Sequence, residues 1–361
     1  MKRLLVMAAG TGGHIFPGLA IAETMKSQGW QVSWLGTAHG MESGIVPRHG
    51  VEMDVIDFRG LRGKGLQHTL GGAFKLTASL AACLRILARR KPDVVLGMGG
   101  YVTVPGGLMA RLRGIPVVLV NADAALLLSN KVLTPIASRI LFGFPADFGR
   151  AAGKSIVTGN PVRKEIMALP LPAVRYAQRT GALRLLIVGG SLGAKVLNDC
   201  MPLALARIPA NERPTVVHQS GKQHIEALCK AYAEAQVQAE VVDFIEDMPR
   251  RYTEADIVIC RAGAITVSEL TAAGVASVLV PFIASTTSHQ RDNARWMAAQ
   301  NAAIHLPQGE LTAETMANLL QSTTREACLK LAQAAYDNGR RGANEAIADV
   351  LETLTGSAHK A

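Results

Sequence analysis

Charged residues are scarce in this sequence, and aromatic residues are scarcer still. Asp, Glu, Lys and Arg make up 18% of the 361 residues, and Phe, Trp and Tyr make up 4%. Nucleic-acid sites combine runs of cations with aromatic side chains on which bases stack. No such run is present, so we expect no nucleic-acid partner. The net charge of +10 instead favours an anionic substrate or an acidic membrane face.

Long hydrophobic runs and a regular cysteine pattern are also missing. No uncharged apolar stretch reaches the roughly 18 residues of a membrane helix, and the opening KRLLVMAAGTGG reaches glycine too early for a signal peptide. The five cysteines are odd in number and widely scattered, which predicts reduced packing residues rather than disulfides or a metal cluster. We therefore expect a protein that stays on the cytoplasmic side.

The sequence does contain a regular alternation of short β-rich runs with helical ones. One series includes QVSWLGT, PDVVLGM and IPVVLVN, and a second includes LRLLIVGG, TVVHQSG and DIVICRAG. This alternation predicts an α/β fold with two Rossmann-like, doubly wound parallel-sheet domains facing across a cleft. We assign residues 1–160 to the first domain and residues 161–340 to the second, with a C-terminal helix at about 341–361 packing back on the first.

The first strand of each series ends in a glycine-rich loop. The first loop reads AAGTGGH and ends at His14, and the second reads VGGSLGAK. The spacing of the first matches neither the dinucleotide G-x-G-x-x-G pattern nor a P-loop. Two interpretations are open: a tight turn in which glycines supply positive φ, or a cradle whose N–H groups and helix dipole receive an anion.

A third motif, RAGAITVSELTAAG, follows the predicted strand DIVIC. It opens a helix whose first turns carry Thr266, Ser268 and Glu269. A helix N-terminus offers N–H donors to a diphosphate, and a nearby carboxylate can accept hydrogen bonds from both hydroxyls of a ribose. This chemistry is typical of a nucleotide-sugar site, although Glu269 alone can also be a solvated helix residue.

Residues 70–90, LGGAFKLTASLAACLRILARR, have the pattern of a basic amphipathic helix. Such a helix can lie on an anionic membrane surface. The same pattern also fits a helix that packs in the core and ends in solvated arginines. Both interpretations stay open from the sequence.

Seven short motifs follow one another along the chain. In order, they are GTGGH, GMGGYVTVPGG, GNPVR, GGSLGA, HQSGK, RAGAITVSE and HQRDNA. Together they resemble the MurG family of N-acetylglucosaminyltransferases. The resemblance implies a GT-B fold and an inverting hexosyltransferase that uses UDP-N-acetylglucosamine and needs no metal or other cofactor. The acceptor it implies is polyprenyl-diphosphate-linked N-acetylmuramyl-pentapeptide, so that lipid I becomes lipid II in peptidoglycan synthesis. It also implies a peripheral position on the cytoplasmic face of the cell inner membrane, an anionic membrane surface as partner, and contacts with cell-wall and division proteins.

The resemblance also assigns site residues. His14 is the candidate catalytic base, because a neutral imidazole can take a proton near pH 7; its alternative role is to fix the loop or the diphosphate. Glu269 would bind the ribose, Ile245 the uracil through its backbone, and Gln290 the sugar. Ser191 and the helix that starts at Ala264 would bind the diphosphate. The remaining donor-site residues are Thr11, Gly12, Gly13, Arg163, Ile265, Thr266, Val267 and Ser268, and the acceptor diphosphate is assigned to Gly99, Gly100 and Tyr101.

The chain departs from the family where HEQN is usual and VNADAALLLSN stands instead. Val120, Asn121 and Asp123 replace His, Glu and Asn, and Asp123 can still accept a sugar hydroxyl. A negative charge beside a diphosphate costs affinity unless a cation offsets it. This segment motivates two alternatives: a GT-B transferase with another UDP-sugar or acceptor, and a noncatalytic cell-wall scaffold.

Overall fold

The chain folds as two compact units in the computed structural model. The first comprises Met1–Arg163 and Arg341–Ala361, and the second comprises Lys164–Arg340. The structure describes residues 1–57, 66–123, 126–145, 148–190, 193–282 and 289–357. Each unit is a parallel sheet covered by helices, and the predicted fold class is confirmed.

The first unit is built on a seven-stranded parallel sheet in the order β3-β2-β1-β4-β5-β6-β7. Its central strands are uninterrupted apolar runs, as expected where helices cover both faces of a sheet. The strands are β1 (Arg3–Ala8), β2 (Gln31–Gly36), β3 (Glu52–Val55), β4 (Val94–Gly99), β5 (Val117–Asn121), β6 (Arg139–Phe142) and β7 (Ser155–Val157).

Helices and 3₁₀ turns connect these parallel strands. The described helices before residue 163 are α1 (Gly12–Ser27), α2 (Glu42–Ile45), α3 (Leu66–Arg90), α4 (Thr103–Leu112) and α5 (Leu128–Leu133), with 3₁₀ turns at Pro47–His49 and Gly149–Lys154.

The second unit has a six-stranded parallel sheet in the order β10-β9-β8-β11-β12-β13. The strands are β8 (Arg184–Val188), β9 (Thr215–Gln219), β10 (Glu240–Val242), β11 (Ile257–Cys260), β12 (Ser277–Leu279) and β13 (Ile304–His305). Its helices are α6 (Lys164–Met167), α7 (Pro172–Tyr176), α8 (Lys195–Ala206), α9 (Ile225–Glu234), α10 (Met248–Glu254), α11 (Ala264–Ala273), α12 (His289–Ala299), α13 (Ala313–Ser322) and α14 (Arg325–Asp337), with a 3₁₀ turn at Gln308–Glu310.

The last helix, α15 (Ala343–Ser357), belongs to the first unit. It packs against α1 and buries Ile347 and Leu351 in the same core as β1. Glu352 adds polar contacts, because its carboxylate accepts hydrogen bonds from the Trp30 indole and the Lys2 ammonium. The first unit is therefore assembled from both ends of the chain.

The C-terminal half of α3 packs in the core of the first unit. Cys83 and Leu87 are buried, and Arg89 and Arg90 both form ion pairs with Asp54 of β3. The described half of α3 therefore packs in the core, as one of the two interpretations of residues 70–90 predicted. Its arginines, however, form ion pairs and are not only solvated. Within the described residues, no helix is long and apolar enough to cross a membrane.

Candidate active site

The first glycine loop joins β1 directly to the N-terminus of α1. Gly10 has a φ of +102°, a conformation that residues with a Cβ rarely adopt. Thr11 is the N-cap residue, and its side chain makes no capping hydrogen bond. The first N–H groups of a helix have no partner within it and carry the positive end of the helix dipole. Thr11, Gly12 and Gly13 therefore form an N-terminus suited to an anion.

His14 lies in the first turn of α1 with its imidazole half-buried. Its Nδ1 lies 3.2 Å from the backbone oxygen of Ala9. Since a carbonyl only accepts, Nδ1 carries the proton and Nε2 keeps its lone pair. Burial lowers the pKa of His14, against the opposing effects of the Ala9 carbonyl and the charges of Asp123 and Glu42. A neutral ring with a basic Nε2 results.

The glycine-rich loop of the GMGGYVTVPGG motif lies directly against this imidazole. Gly99 and Gly100 have φ values of +118° and +86°. A Cβ on Gly99 would lie 2.7 Å from Nε2 of His14, and one on Gly100 would lie 2.3 Å from the oxygen of Ala9. Thr103 holds the loop, since its hydroxyl donates to the Gly99 carbonyl at 3.0 Å. Tyr101 is exposed at the loop tip. The structure thus brings the first glycine loop and the loop assigned to the acceptor diphosphate together around His14.

A buried carboxylate behind the first loop escaped the sequence analysis. Glu42 is fully buried. Its Oε2 accepts the Gly10 N–H at 3.1 Å, and its Oε1 accepts the N–H and the hydroxyl of Thr37 at 2.9 and 2.6 Å. Nothing in the local sequence distinguishes Glu42 from a surface carboxylate, because its partners are brought to it only by the folded sheet.

The segment that departs from the family pattern is held by side-chain amides. Asn121 is fully buried, and its Oδ1 accepts from the Leu127 N–H and the Asn130 amide at 3.0 and 3.1 Å. Its Nδ2 donates to the backbone oxygen of Asp123. Asn121 therefore shapes this loop, and Val120 lies in the core. Asp123 is partly exposed, and its charge acts on His14.

Arg163 reaches the first glycine loop through an aromatic side chain that the sequence analysis did not single out. The ring of Phe16 leaves no room for a side chain on Gly12, because a Cβ there would lie 3.1 Å from it. The guanidinium of Arg163 stacks over the same ring, 4.7 Å from its centroid. Such stacking holds the guanidinium beside the first glycine loop.

In the second unit, a three-residue loop joins the end of β11 to the start of α11. Its N-cap residue, Gly263, provides no side-chain cap. Ala264 and Val267 are buried toward the core, whereas Ile265, Thr266 and Ser268 are partly exposed. The Ser268 hydroxyl donates back to the Ala264 carbonyl at 2.9 Å. The N–H groups of this N-terminus are arranged to bind an anion.

Glu269 is buried near the middle of α11, so the interpretation of it as a solvated residue is wrong. The hydroxyl of Tyr252, on α10, donates to Glu269 Oε2 at 3.3 Å. Arg175 of α7 binds the ends of both helices, donating to the carbonyls of Tyr252 and Ala273 at 3.0 and 2.7 Å. The carboxylate is therefore held by a braced pair of helices.

A cation stands just before this helix. Arg261 donates to the Val280 carbonyl and to Gln308 Oε1 at 3.1 and 2.8 Å, and burial lowers its pKa. Its guanidinium lies over the ring of Phe282, whose N–H donates to Gln290 Oε1 at 2.9 Å. Arg261 belongs to the RAGAITVSE motif, but its contacts come from residues distant in the sequence and could not be predicted from the motif.

Three further positions of the second unit belong to the quoted motifs or to the predicted donor site. Asn293 is buried, and its amide donates to the Ala262 carbonyl at 3.1 Å, which ties α12 to the loop before α11. Ile245 follows β10 with its side chain buried. Ser191, predicted to bind the diphosphate, lies outside the described residues. Its neighbour Gly190 is described, and the Gly190 carbonyl accepts from Gln219 at 3.0 Å.

Both halves of the chain match models of one enzyme family. Residues 4–142 match the glycosyltransferase family 28 N-terminal domain, and residues 184–352 match the glycosyltransferase family 28 C-terminal domain. The two matches together cover most of the chain.

Full-length relatives carry a single name. A protein of Janthinobacterium sp. (strain Marseille) is 74% identical over 354 residues, which cover 98% of this chain and 99% of the relative. One of Nitrosomonas europaea is 47% identical over 357 residues, or 99% of this chain and 100% of the relative. Both are named UDP-N-acetylglucosamine--N-acetylmuramyl-(pentapeptide) pyrophosphoryl-undecaprenol N-acetylglucosamine transferase.

Solved structures share this fold, and one of them also supports the family. The crystal structure of MurG from Acinetobacter baumannii has a TM-score of 0.77 and 37% identity, and the match covers 98% of this chain and 100% of that one. The UDP-GlcNAc 2-epimerase from Neisseria meningitidis, bound to UDP-GlcNAc, has a TM-score of 0.63, with coverage of 98% and 100%. Its 16% identity supports a shared fold alone.

Proposed function

The chain belongs to the MurG group of glycosyltransferase family 28, and we propose that it is the transferase that converts lipid I to lipid II. It moves N-acetylglucosamine from UDP-N-acetylglucosamine to a polyprenyl-diphosphate-linked N-acetylmuramyl-pentapeptide. The observation that carries this proposal is the neutral His14, whose Nδ1 is bound to Ala9 and whose Nε2 lies against the Gly99 loop. This is the arrangement that a general base for an acceptor hydroxyl requires.

The first unit carries the chemistry of the acceptor in this proposal. Nε2 of His14 takes the proton as the acceptor oxygen attacks the anomeric carbon, and the sugar is transferred with inversion in a single displacement. The N–H groups of the loop at Gly99 and Gly100 bind the acceptor diphosphate. General-base catalysis of this kind contributes about 10² to 10⁴ in rate.

The second unit carries the donor. The N-terminus of α11 and the guanidinium of Arg261 stabilise the negative charge that develops on the leaving UDP. Glu269 accepts hydrogen bonds from the ribose hydroxyls, and Gln290 contacts the sugar. Because a helix N-terminus and an arginine already supply positive charge, the transfer proceeds without a metal ion.

We place the membrane contact on α4 and α5 rather than on the described half of α3. Leu112, Leu128 and Val132 are exposed apolar side chains on these two helices. The helices lie close together, because Gly107 of α4 leaves room for Leu133 of α5. The exposed cations Arg111, Arg113 and Lys131 accompany the apolar side chains. Apolar side chains among cations suit the interface of an anionic membrane.

The decisive experiment measures transfer of labelled N-acetylglucosamine from its UDP derivative to a short-chain lipid acceptor. We expect transfer that survives EDTA and that falls at least a hundredfold in His14→Ala, while the affinity for the donor changes little. UDP-glucose and UDP-N-acetylgalactosamine should be poor donors. Donor binding without any transfer would overturn the proposal and favour a scaffold. Rapid transfer from another UDP-sugar would favour the alternative donor.

Vesicle sedimentation tests the membrane contact. The double variant Leu128→Ser/Val132→Ser should bind vesicles containing phosphatidylglycerol more weakly than the unmodified chain. Leu203→Ser is the matched control, since Leu203 is an exposed leucine on α8 of the other unit. Equal binding by all three proteins would refute this location.

A further inference from the structure

One peptide group of the first glycine loop is hydrogen-bonded on both sides. The N–H of Gly10 donates to Glu42 Oε2 at 3.1 Å, and the oxygen of Ala9 lies 3.2 Å from His14 Nδ1. The N–H and the C=O belong to the same peptide unit. In a trans peptide these two groups point in opposite directions. A buried carboxylate and the imidazole are thus joined through a single peptide group.

We infer that Glu42 is a positioning residue for His14, acting through the peptide group between Ala9 and Gly10. It plays the part that a directly bonded carboxylate plays for the histidine of a catalytic triad. The inference rests on the proposed role of His14 as the base and identifies the group that orients it. Glu42 itself touches neither the acceptor nor the donor in this scheme.

The surroundings of Glu42 are built for a carboxylate. Side chains are absent where they would collide with it: a Cβ on Gly40 would lie 2.1 Å from Oε2, and one on Gly36 would lie 2.8 Å from Cγ. Burying a carboxylate costs several kcal/mol unless it is hydrogen-bonded. Thr37 alone would satisfy one oxygen. The second oxygen, Oε2, instead accepts the N–H of Gly10 in the loop that carries His14. A carboxylate that served only to stabilise the fold would not need this contact.

Hydrogen bonds in series polarise one another. A negative charge at the N–H of Gly10 makes the Ala9 oxygen a stronger acceptor, which fixes the proton on Nδ1 and favours the imidazolium formed when Nε2 takes a proton. Glu42 and Asp123 are the carboxylates whose charges act on His14, and both raise its pKa against the effect of burial. Only Glu42 is connected to it through the Ala9–Gly10 peptide.

The test compares Glu42→Gln with Asp54→Asn in the full chain. Asp54 is a matched control because it is also a buried carboxylate of the first unit, bonded to Arg89 and Arg90 instead of the loop. The pKa of His14 is measured by NMR with labelled histidine and assigned with His14→Gln. We expect Glu42→Gln to lower it by about 0.5 to 1 unit. The acid limb of the kcat profile should move to lower pH with it, and Asp54→Asn should change neither.

The outcomes separate the two hypotheses. An unchanged His14 pKa in a folded Glu42→Gln protein that has only lost thermal stability would overturn the inference. If the pKa moves and the kcat profile does not, Glu42 still acts on His14, and the assignment of His14 as the base is wrong.

A measurement on the unmodified chain covers the case in which Glu42→Gln does not fold. The amide proton of Gly10 shares its peptide group with the acceptor of His14. Its chemical shift should therefore follow the His14 titration, whereas that of Gly114, in the turn after α4, should not. A Gly10 signal that ignores the His14 titration would refute the inference.

Discussion

Tyr252 donates its hydroxyl to the buried carboxylate of Glu269 across 3.3 Å, from α10 to α11. Arg175 binds the C-terminal ends of the same two helices through the carbonyls of Tyr252 and Ala273. Tyr252 is itself buried. The carboxylate proposed to bind ribose is therefore oriented before any nucleotide arrives, which reduces the entropy lost on binding.

Removing that hydroxyl should weaken donor binding without unfolding the unit. Tyr252→Phe is expected to lower the affinity for UDP-N-acetylglucosamine about 2- to 10-fold, in line with the net value of one hydrogen bond. Tyr232→Phe is the control, because Tyr232 is also buried and bonds to His218 rather than to the helix pair. Calorimetry with both variants decides the question. Equal affinities would leave the Tyr252 hydroxyl without a role in binding.

Glu269→Ala should weaken donor binding by about 1 to 3 kcal/mol, because a charged hydrogen-bond partner of the ribose is lost. The loss should disappear with a 2′,3′-dideoxyuridine donor, which lacks the hydroxyls. If Glu269→Ala still preferred the ordinary donor over the dideoxyuridine donor as strongly as the unmodified chain does, Glu269 would not be the residue that binds the ribose.

Gly99→Ala should disable turnover. The new methyl group would stand 2.7 Å from Nε2 of His14 and would displace the ring. We expect kcat to fall about tenfold or more, because a displaced base loses part of the roughly 10² to 10⁴ in rate that general-base catalysis contributes. Gly114→Ala is a matched control, because Gly114 also has positive φ and has no atom within 4 Å of the added Cβ. It should cost about 1 kcal/mol of stability and leave kcat unchanged.

The stability of the second unit should fall in acid because of Asp256. This buried carboxylate accepts hydrogen bonds from Arg179 and Arg325 and from the Arg184 N–H. Burial raises its pKa, but the hydrogen bonds from these three residues lower it by more, so the folded pKa lies below the ordinary value. A depressed pKa contributes stability above about pH 4 that is lost as the pH falls through the folded value.

Urea unfolding followed across pH measures this contribution. Asp256→Asn should cost about 3 to 5 kcal/mol near neutral pH, since it breaks a buried pair, and should flatten the acid dependence. Asp199→Asn is the control, because Asp199 forms only an exposed pair with Lys195. It should change stability by less than about 1 kcal/mol. An acid dependence that survives in Asp256→Asn would contradict the prediction.

The sequence predicted both sheets, because buried parallel strands are continuous apolar runs and each is followed by a helix. It missed β13, whose two residues are too few to form a pattern. It left open the role of residues 70–90. The pairing of Arg89 and Arg90 with Asp54 depends on β3 lying beside the helix end, a relationship that no local pattern contains.

The glycine loops of the candidate site could be predicted from the sequence, but the buried side chains that support them could not. Glycine loops can be found from sequence because positive φ is a local steric requirement, and Gly10, Gly99 and Gly100 meet it. Glu42 and Tyr252 could not be found, because their partners are distant in the chain. Asn121 illustrates the limit of resemblance: it occupies a position with a known family pattern, and its amide instead supports the surrounding loop.

The position of α15 has a consequence for synthesis on the ribosome. Residues 164–340 are continuous and can complete their sheet as soon as they emerge. The first unit cannot, because Ile347 and Leu351 fill its core and are translated only after the whole second unit. Residues 1–163 must therefore wait with part of their core uncovered until α15 has followed the second unit out of the ribosome, and chaperones can protect the apolar surface during that interval.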